Sequence, residues 1–321
     1  MIEVVAKPAR GPDTQYQRLI AAAQTHPAIK TAIVHPCDDV SLESAIEAAR
    51  LHLIEPILVG PTERIREVAA AAHFDISGME IVAAEHSHAS AAKAVELVRA
   101  GRAEALMKGS LHTDELMAAA VAREGGIRTA RRISHCFIMD VPNHPEALII
   151  TDAAVNIAPT LDDKVDIVQN AIDLAHALRV PDVRVAILSA TETVNAKVPS
   201  TVEAAALCKM ADRGQITGAL LDGPLALDNA ISPEAAAIKH IVSPVAGRAN
   251  VLVVPDLEAG NMLAKSLSFL AHADAAGIVL GARVPIILTS RADSLLTRLA
   301  SCAVAVMLAA ARRGSVSASI R

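Results

Sequence analysis

The sequence predicts an α/β fold on a parallel, doubly wound sheet, and three observations predict it. Strand-like and helix-like segments alternate almost throughout the 321 residues. Hydrophobic residues make up 52% of the chain and aromatic residues only 1%, so its cores are built from Ala, Val, Ile and Leu, which suits helices packed on parallel strands. The strand-like runs end in polar stretches of small residues. Parallel sheets hold ligands at the carboxyl ends of their strands, so these tails are where a site is expected.

Taken in order, 30–35 (KTAIVH) reads as a strand, followed by a helix from a Ser41 cap to about His52. A strand at 55–59 leads through Gly60 and Pro61 to a helix over 62–72. The pairs 81–84 with 89–100, and 105–107 with 114–124, continue the rhythm. Two strands at 137–141 and 147–151, joined by a turn rich in Pro and Asn, interrupt it as a hairpin or an excursion into a second domain. A helix over 162–178 and a strand over 184–189 resume it, and further strands are expected at 219–221, 250–254 and 284–288 with helices between.

Bulk properties narrow the function classes. The net charge of −5 and the near absence of aromatic rings argue against a nucleic-acid partner, which needs cationic grooves or stacking platforms. Cys37, Cys136, Cys208 and Cys302 are scattered with no CxxC, which signals neither zinc nor a disulfide framework. The 12 histidines show no HExxH-type spacing, so no metal is expected. The opening residues lack the apolar core of a signal peptide, and 299–311 reads as too short to cross a bilayer. The expectation is a soluble, cytoplasmic protein with no membrane partner.

The most informative stretch is 285–294, PIILTSRADS. An apolar run ends in Thr289, Ser290 and Arg291, and a helical pattern follows from Leu295. A strand running into a helix offers open N–H groups and the positive end of a helix dipole, and Arg adds a fork that matches phosphate. A phosphate-bearing ligand is expected. Ser290 and Asp293 also have capping-box spacing, so a purely structural cap is the competing account for both.

Other polar tails are MKGSLHT (107–113), ITDAAVN (150–156), LSATETVN (188–195), LLDGPLALDNAI (220–231) and SPVAGRANVLVVPDLEAGN (243–261). With 285–294, they carry a resemblance to the phosphate acetyltransferase/phosphate butyryltransferase family, which exchanges acyl groups between coenzyme A and inorganic phosphate. The resemblance runs from about Thr31 to the last helix and is strongest over 150–294, where SPVAG, ANV, PDLEAGN and the Ser-Arg segment recur in family order. It implies two α/β/α domains with parallel-rich sheets, an interdomain cleft, and a second domain inserted in the first. This is the isocitrate/isopropylmalate dehydrogenase-like architecture. Residues 1–130 and 277–321 would form domain I, and 131–276 domain II.

The resemblance implies a phosphate acyltransferase, acyl-CoA plus phosphate giving acyl phosphate plus coenzyme A, by direct attack in a ternary complex. Coenzyme A is then a substrate, no cofactor is required, and a homodimer or higher homo-oligomer is expected. Ser290 and Arg291 match the family's cleft pair, and Ser110, His112 and Thr113 match its phosphate-side loop. Thr113 could equally cap the following helix. Lys265 falls where the family has a cleft-facing Lys, or is an exposed helix Lys. Ser243, Gly247, Gly260 and Asn261 read as backbone-rich contacts or as structural turns.

The chain departs from the family in three places. The family Asp beyond Ser-Arg maps onto Thr297 or its neighbours, leaving Asp293 as the carboxylate at hand, either a base or a cap. Met117 and Ala118 stand where acetyl-type members carry an Arg, and a second family Arg is missing from 86–90. A non-catalytic or altered-specificity CoA-ester-binding paralogue is therefore the alternative, and a metal-dependent NAD(P) dehydrogenase of related fold is a more distant one.

Overall fold

A computed structural model describes residues 14–142, 144–289 and 293–319, with side chains as far as residue 314. Its first half follows the strand-then-helix rhythm. After α1 (Gln15–Ala23) come β1 (Ile29–Val34), α2 (Asp39–Arg50), β2 (Ile54–Gly60), α3 (Thr62–Ala71), β3 (Glu80–Ala83), α4 (Ser87–Arg99), β4 (Ala105–Lys108) and α5 (Thr113–Val121). The antiparallel pair β5 (Ser134–Asp140) and β6 (Leu148–Thr151) then leads to α6 (Leu161–Ala177), β7 (Arg184–Leu188), α7 (Pro199–Asp212) and β8 (Leu220–Leu225). The chain closes with α8 (Leu227–Ile231), α9 (Pro233–Ile238), β9 (Val251–Val253), α10 (Leu257–Leu270), β10 (Asp274–Leu280), β11 (Ile286–Ile287) and α11 (Leu295–Ser319).

Among the described residues the eleven strands form one mixed sheet, ordered β3-β2-β1-β4-β11-β10-β5-β6-β9-β7-β8. The first five of that order run parallel to one another, as do the last four. Between them β10 is antiparallel to both β11 and β5, and β5 is antiparallel to β6. The two parallel blocks therefore run in opposite directions. The sequence reading missed β10, because Ala and Gly dominate its first half (DAAG) and favour strands weakly. Tertiary pairing decides it, with all seven of its residues in register with β5.

Helices cover the two faces differently. On one face a single core spans both blocks, with α11 packed on α1, α2, α6 and β10. Tyr16 of α1, 1% exposed, ties this face together: its hydroxyl donates to the Ile138 carbonyl and accepts from the Ala276 N–H. The other face carries two separate cores. One joins α4 and α5 to β1, β2 and β4, and the other joins α8, α9 and α10 to β6, β7 and β9. A gap is left between them over the central strands.

Several local expectations are corrected. Helix α2 is capped by Asp38, whose carboxylate accepts from the Ser41 N–H at 2.8 Å, so Ser41 lies inside the helix. His112 occupies the N-cap position of α5 and Thr113 is its first helical residue. The final helix is longer than the apolar run suggested. Its Leu295–Gly314 portion is long and apolar enough to cross a membrane, but 72% of that stretch's apolar window is buried inside the protein, where it forms the shared core.

Candidate active site

The gap between the two one-sided cores is a cleft of about 1040 Å³. One wall comes from the β4–α5 connection, with Lys108, His112 and Thr113; the opposite wall is α10, with Asn261 and Lys265. Its floor is the pleat face of β5 that presents His135 and Phe137, together with the start of β10. Leu288, Thr289, Asp293 and Thr297, around the start of α11, close one end.

The α/β connectivity explains why these segments meet. Strands β4 and β11 are parallel neighbours, so the loops after both leave the sheet on the same side. Helix α10 crosses β10, β5 and β6 on the same face of the sheet as the floor residues. The N-terminal turns of α5, α10 and α11 all reach the cleft, through Thr113, Leu257 and Ser294 respectively. Helix N-termini carry unpaired N–H groups and partial positive charge, so their convergence favours an anion.

Five of the residues expected from sequence line this cleft: His112, Thr113, Asn261, Lys265 and Asp293. Asn261 is steadied by donating to the Ala153 carbonyl at 3.3 Å, while Lys265 is exposed on α10. Ser290 and Arg291 lie outside the described residues. Thr289 and Asp293 flank them and both line the cleft.

The Ser294 hydroxyl oxygen caps the start of α11, accepting from the Thr297 N–H at 3.2 Å. The Asp293 carbonyl accepts from Arg298 Nη1 at 2.7 Å, and Arg298 Nη2 donates to Glu43 at 2.9 Å. Arg298 is 6% exposed, and sequence reasoning missed it because its partner lies 255 residues away.

The other expected residues lie elsewhere. Ser110 lines a neighbouring cavity of about 710 Å³ with His35, Cys37, Arg64 and His86. Its hydroxyl donates to the His35 carbonyl at 2.8 Å and accepts from the Cys37 N–H at 3.2 Å, tying the exits of β1 and β4 together. Gly260 is buried where α10 packs on the turn after β6, and a Cβ there would come within 2.9 Å of the Asp152 carbonyl oxygen. Gly247 takes φ +77° against Pro233, where a side chain would clash. Ser243 accepts from the N–H groups of Val245 and Ala246, both at 3.0 Å. Ser243, Gly247 and Gly260 line neither cavity.

Asp152, at the end of β6, holds the 152–156 turn by accepting from the N–H groups of Ala154, Val155 and Asn156 at 2.9–3.2 Å. Arg131 and Arg132 pair with Asp173 and Asp163 of α6, so they buttress the fold. Among the described residues no three His, Cys, Asp or Glu side chains converge to hold a metal ion.

The profile of the phosphate acetyl/butaryl transferase family matches residues 83–306, which include both walls and the floor of this cleft. The chain belongs to this family. It is 65% identical over 307 residues to a phosphate acetyltransferase of Rhizobium meliloti, covering 96% of this chain and 97% of that one. It is 39% identical over 295 residues to a phosphate butyryltransferase of Clostridium beijerinckii, covering 92% and 98%. Among solved structures, a branched-chain phosphotransacylase from Enterococcus faecalis V583 superposes with a TM-score of 0.77 at 32% identity, over 88% of this chain and 99% of that one.

In this phosphate acetyl/butaryl transferase family member the thiols are poor nucleophiles. Burial pushes the Cys136, Cys208 and Cys302 thiols up to about 12, and raises Cys37 as well. Met117, which stands where acetyl-type relatives were expected to carry Arg, packs its side chain on the α4–α5 core.

Proposed function

We propose that this chain is a phosphate acetyltransferase: acetyl-CoA and inorganic phosphate exchange to acetyl phosphate and coenzyme A. The observation that carries it is 65% identity to a phosphate acetyltransferase along 96% of the chain. The cleft supports it chemically. Converging helix N-termini and Lys265 suit a phosphate, while Phe137, Leu257, Ala264 and Leu288 supply apolar surface for an acyl group and the pantetheine arm.

In the forward direction a phosphate oxygen attacks the thioester carbonyl carbon. The carbonyl oxygen becomes an oxyanion, the C–S bond breaks, and coenzyme A leaves as a thiolate. Holding both substrates in one cleft supplies proximity, and cationic or N–H donors supply charge stabilisation. Arg291 and Ser290, between the cleft residues Thr289 and Asp293, are assigned to the phosphoryl oxygens and the oxyanion. Asp293 is assigned to the proton of the returning thiol, because a carboxylate nearby favours the thiolate near neutral pH. With every cysteine held protonated, direct transfer is favoured over an acyl-cysteine intermediate. His112, Thr113, Asn261 and Lys265 are assigned to substrate binding, with Ser110, Ser243, Gly247 and Gly260 supporting the loops around it.

We read the two oppositely directed parallel blocks as two lobes, residues 1–130 with 277–321, and the inserted 131–276, meeting at the β10–β5 pair. The cleft over that pair is then the interlobe cleft, and a homodimer is the expected assembly.

The test is release of free thiol from acetyl-CoA and butyryl-CoA with and without phosphate. Phosphate-dependent release, faster with acetyl-CoA, is expected. Binding without phosphate-dependent release from either ester would leave only a CoA-ester-binding protein. Arg291→Ala is expected to lower kcat/KM by about 100-fold or more, as loss of a charge-stabilising donor does.

A further inference from the structure

His135 carries a buried polar atom that nothing in the described structure pairs. It sits on β5, a central strand, and is 2% exposed. Its Nδ1 is buried with no hydrogen-bond partner. Buried donors and acceptors are nearly always paired in folded proteins, and an unpaired one costs about 1–3 kcal/mol. Among the described residues the side chains with such an orphaned buried atom are Glu115, His135, Asp140, Asn229 and Arg298. Of these, only His135 lines the active-site cleft.

Packing alone does not account for an imidazole here. The ring stands edge-on to Phe137 with centroids 4.4 Å apart, a contact that a phenyl ring would make equally well. Across the ladder Gly277 has no side chain; a Cβ there would lie 3.1 Å from His135 Nε2. The glycine leaves space beside Nε2 at the cleft floor, next to the apolar surface of Phe137. Burial pushes the imidazole down to about 4, against the opposing pull of Asp152. At neutral pH the ring is uncharged and carries one N–H. An uncharged donor suits a carbonyl oxygen better than a phosphate, and it stabilises a developing oxyanion without giving up its proton.

We propose that the imidazole N–H of His135 donates a hydrogen bond to the carbonyl oxygen of the acyl group, holding it over the cleft floor while phosphate and sulfur exchange. This makes His135 a substrate-contacting residue of the acyl end, opposite the phosphate end built from helix N-termini. It rests on the acyltransferase assignment above and specifies which side chain receives the acyl carbonyl.

The experiment compares two ligands by calorimetry in the absence of phosphate: acetyl-CoA, and S-ethyl-CoA, which lacks the carbonyl oxygen. Wild-type protein is expected to bind acetyl-CoA roughly five- to tenfold more tightly, the effect of one neutral hydrogen bond. His135→Phe keeps the aromatic packing and removes the donor. It is expected to bring the ratio to about one by weakening acetyl-CoA alone, and to lower kcat about tenfold or more, as for a lost oxyanion donor. His135→Asn, which returns a donor near Nδ1, is expected to restore part of both. Should the Phe variant fold poorly, His135→Leu serves in its place.

An unchanged preference for acetyl-CoA in the Phe or Leu variant overturns the assignment of His135 and leaves the acyltransferase reading standing. A wild-type protein that binds both ligands equally does the same. If wild-type protein binds neither ligand, the acyltransferase reading itself fails, and the His135 assignment with it.

Discussion

Arg298 reaches from the first turn of the last helix to the Asp293 carbonyl at 2.7 Å, and with its other terminal nitrogen to Glu43 of α2 at 2.9 Å. One buried guanidinium thereby ties the segment that enters the cleft to a helix from the start of the chain. Its Nε remains without a partner, so the side chain is held by those two contacts at its tip.

Removing this tie is expected to loosen the chain at Asp293, where it borders the cleft. Arg298→Met should lower kcat by about tenfold, since small misplacements of catalytic groups are costly. It should also destabilise the fold by roughly 1.5–3 kcal/mol, the scale of a lost hydrogen bond from a charged group, here to the Asp293 carbonyl. Glu43→Gln should cost under about 1 kcal/mol, because the Glu43 side chain is 42% exposed and solvent screens it. Urea unfolding and steady-state kinetics check both variants; a Met variant with parental kcat would show that the tie is not needed for catalysis.

Asp293 lines the cleft, one residue before the Ser294 cap of α11. Asp293→Asn is expected to lower the rate of acetyl transfer from acetyl phosphate to coenzyme A and to shift the pH–rate profile upward, because more thiol must then ionise unaided. A profile superimposable on the parent's would make Asp293 a structural residue.

Lys265 is an exposed cation on the cleft wall. Lys265→Ala is expected to raise KM for phosphate or coenzyme A about three- to tenfold with a smaller change in kcat, the signature of lost uniform binding. The rise should shrink at high ionic strength, where the wild-type attraction is screened. Equal KM values for both substrates at low salt would place Lys265 outside the binding surface.

His135 also makes a prediction about acid stability. Its folded-state pKa is lowered, to about 4, so at intermediate pH the unfolded chain binds a proton that the folded chain does not. Stability is therefore full above the ordinary imidazole range of about 6.5 and falls as pH drops toward 4, by roughly 3 kcal/mol in all. Asp152 is the charged group opposing that shift. Urea midpoints measured from pH 7 to 4.5 should fall more steeply for the wild type than for the non-titrating His135→Asn. Parallel curves for the two proteins would assign the acid loss to other groups.

Much of the fold was legible because it is written in local periodicity. The strand-then-helix rhythm over residues 29–121 needs only apolar runs, helical spacing and caps, and the observed elements fall within a few residues of the expected ones. The site was legible in part. His112, Thr113, Asn261, Lys265 and Asp293 come mainly from the family resemblance of the polar stretches that hold them, and all five border one cleft. His135 falls just before the strand expected at 137–141, and pattern alone does not separate it from the other histidines.

By itself the sequence determined an alternating α/β chain, with small polar residues where strands give way to helices, because propensity and hydrophobic period act over a few neighbours. Only tertiary structure decided that β10, rich in Ala and Gly, would pair antiparallel with β5 and β11 and set two parallel blocks in opposite directions. It also decided that Ser110 and His112, two residues apart, would serve different cavities. Those outcomes depend on contacts between segments more than a hundred residues apart, such as Arg298 with Glu43, and no local pattern records which distant surface will bury a given side chain.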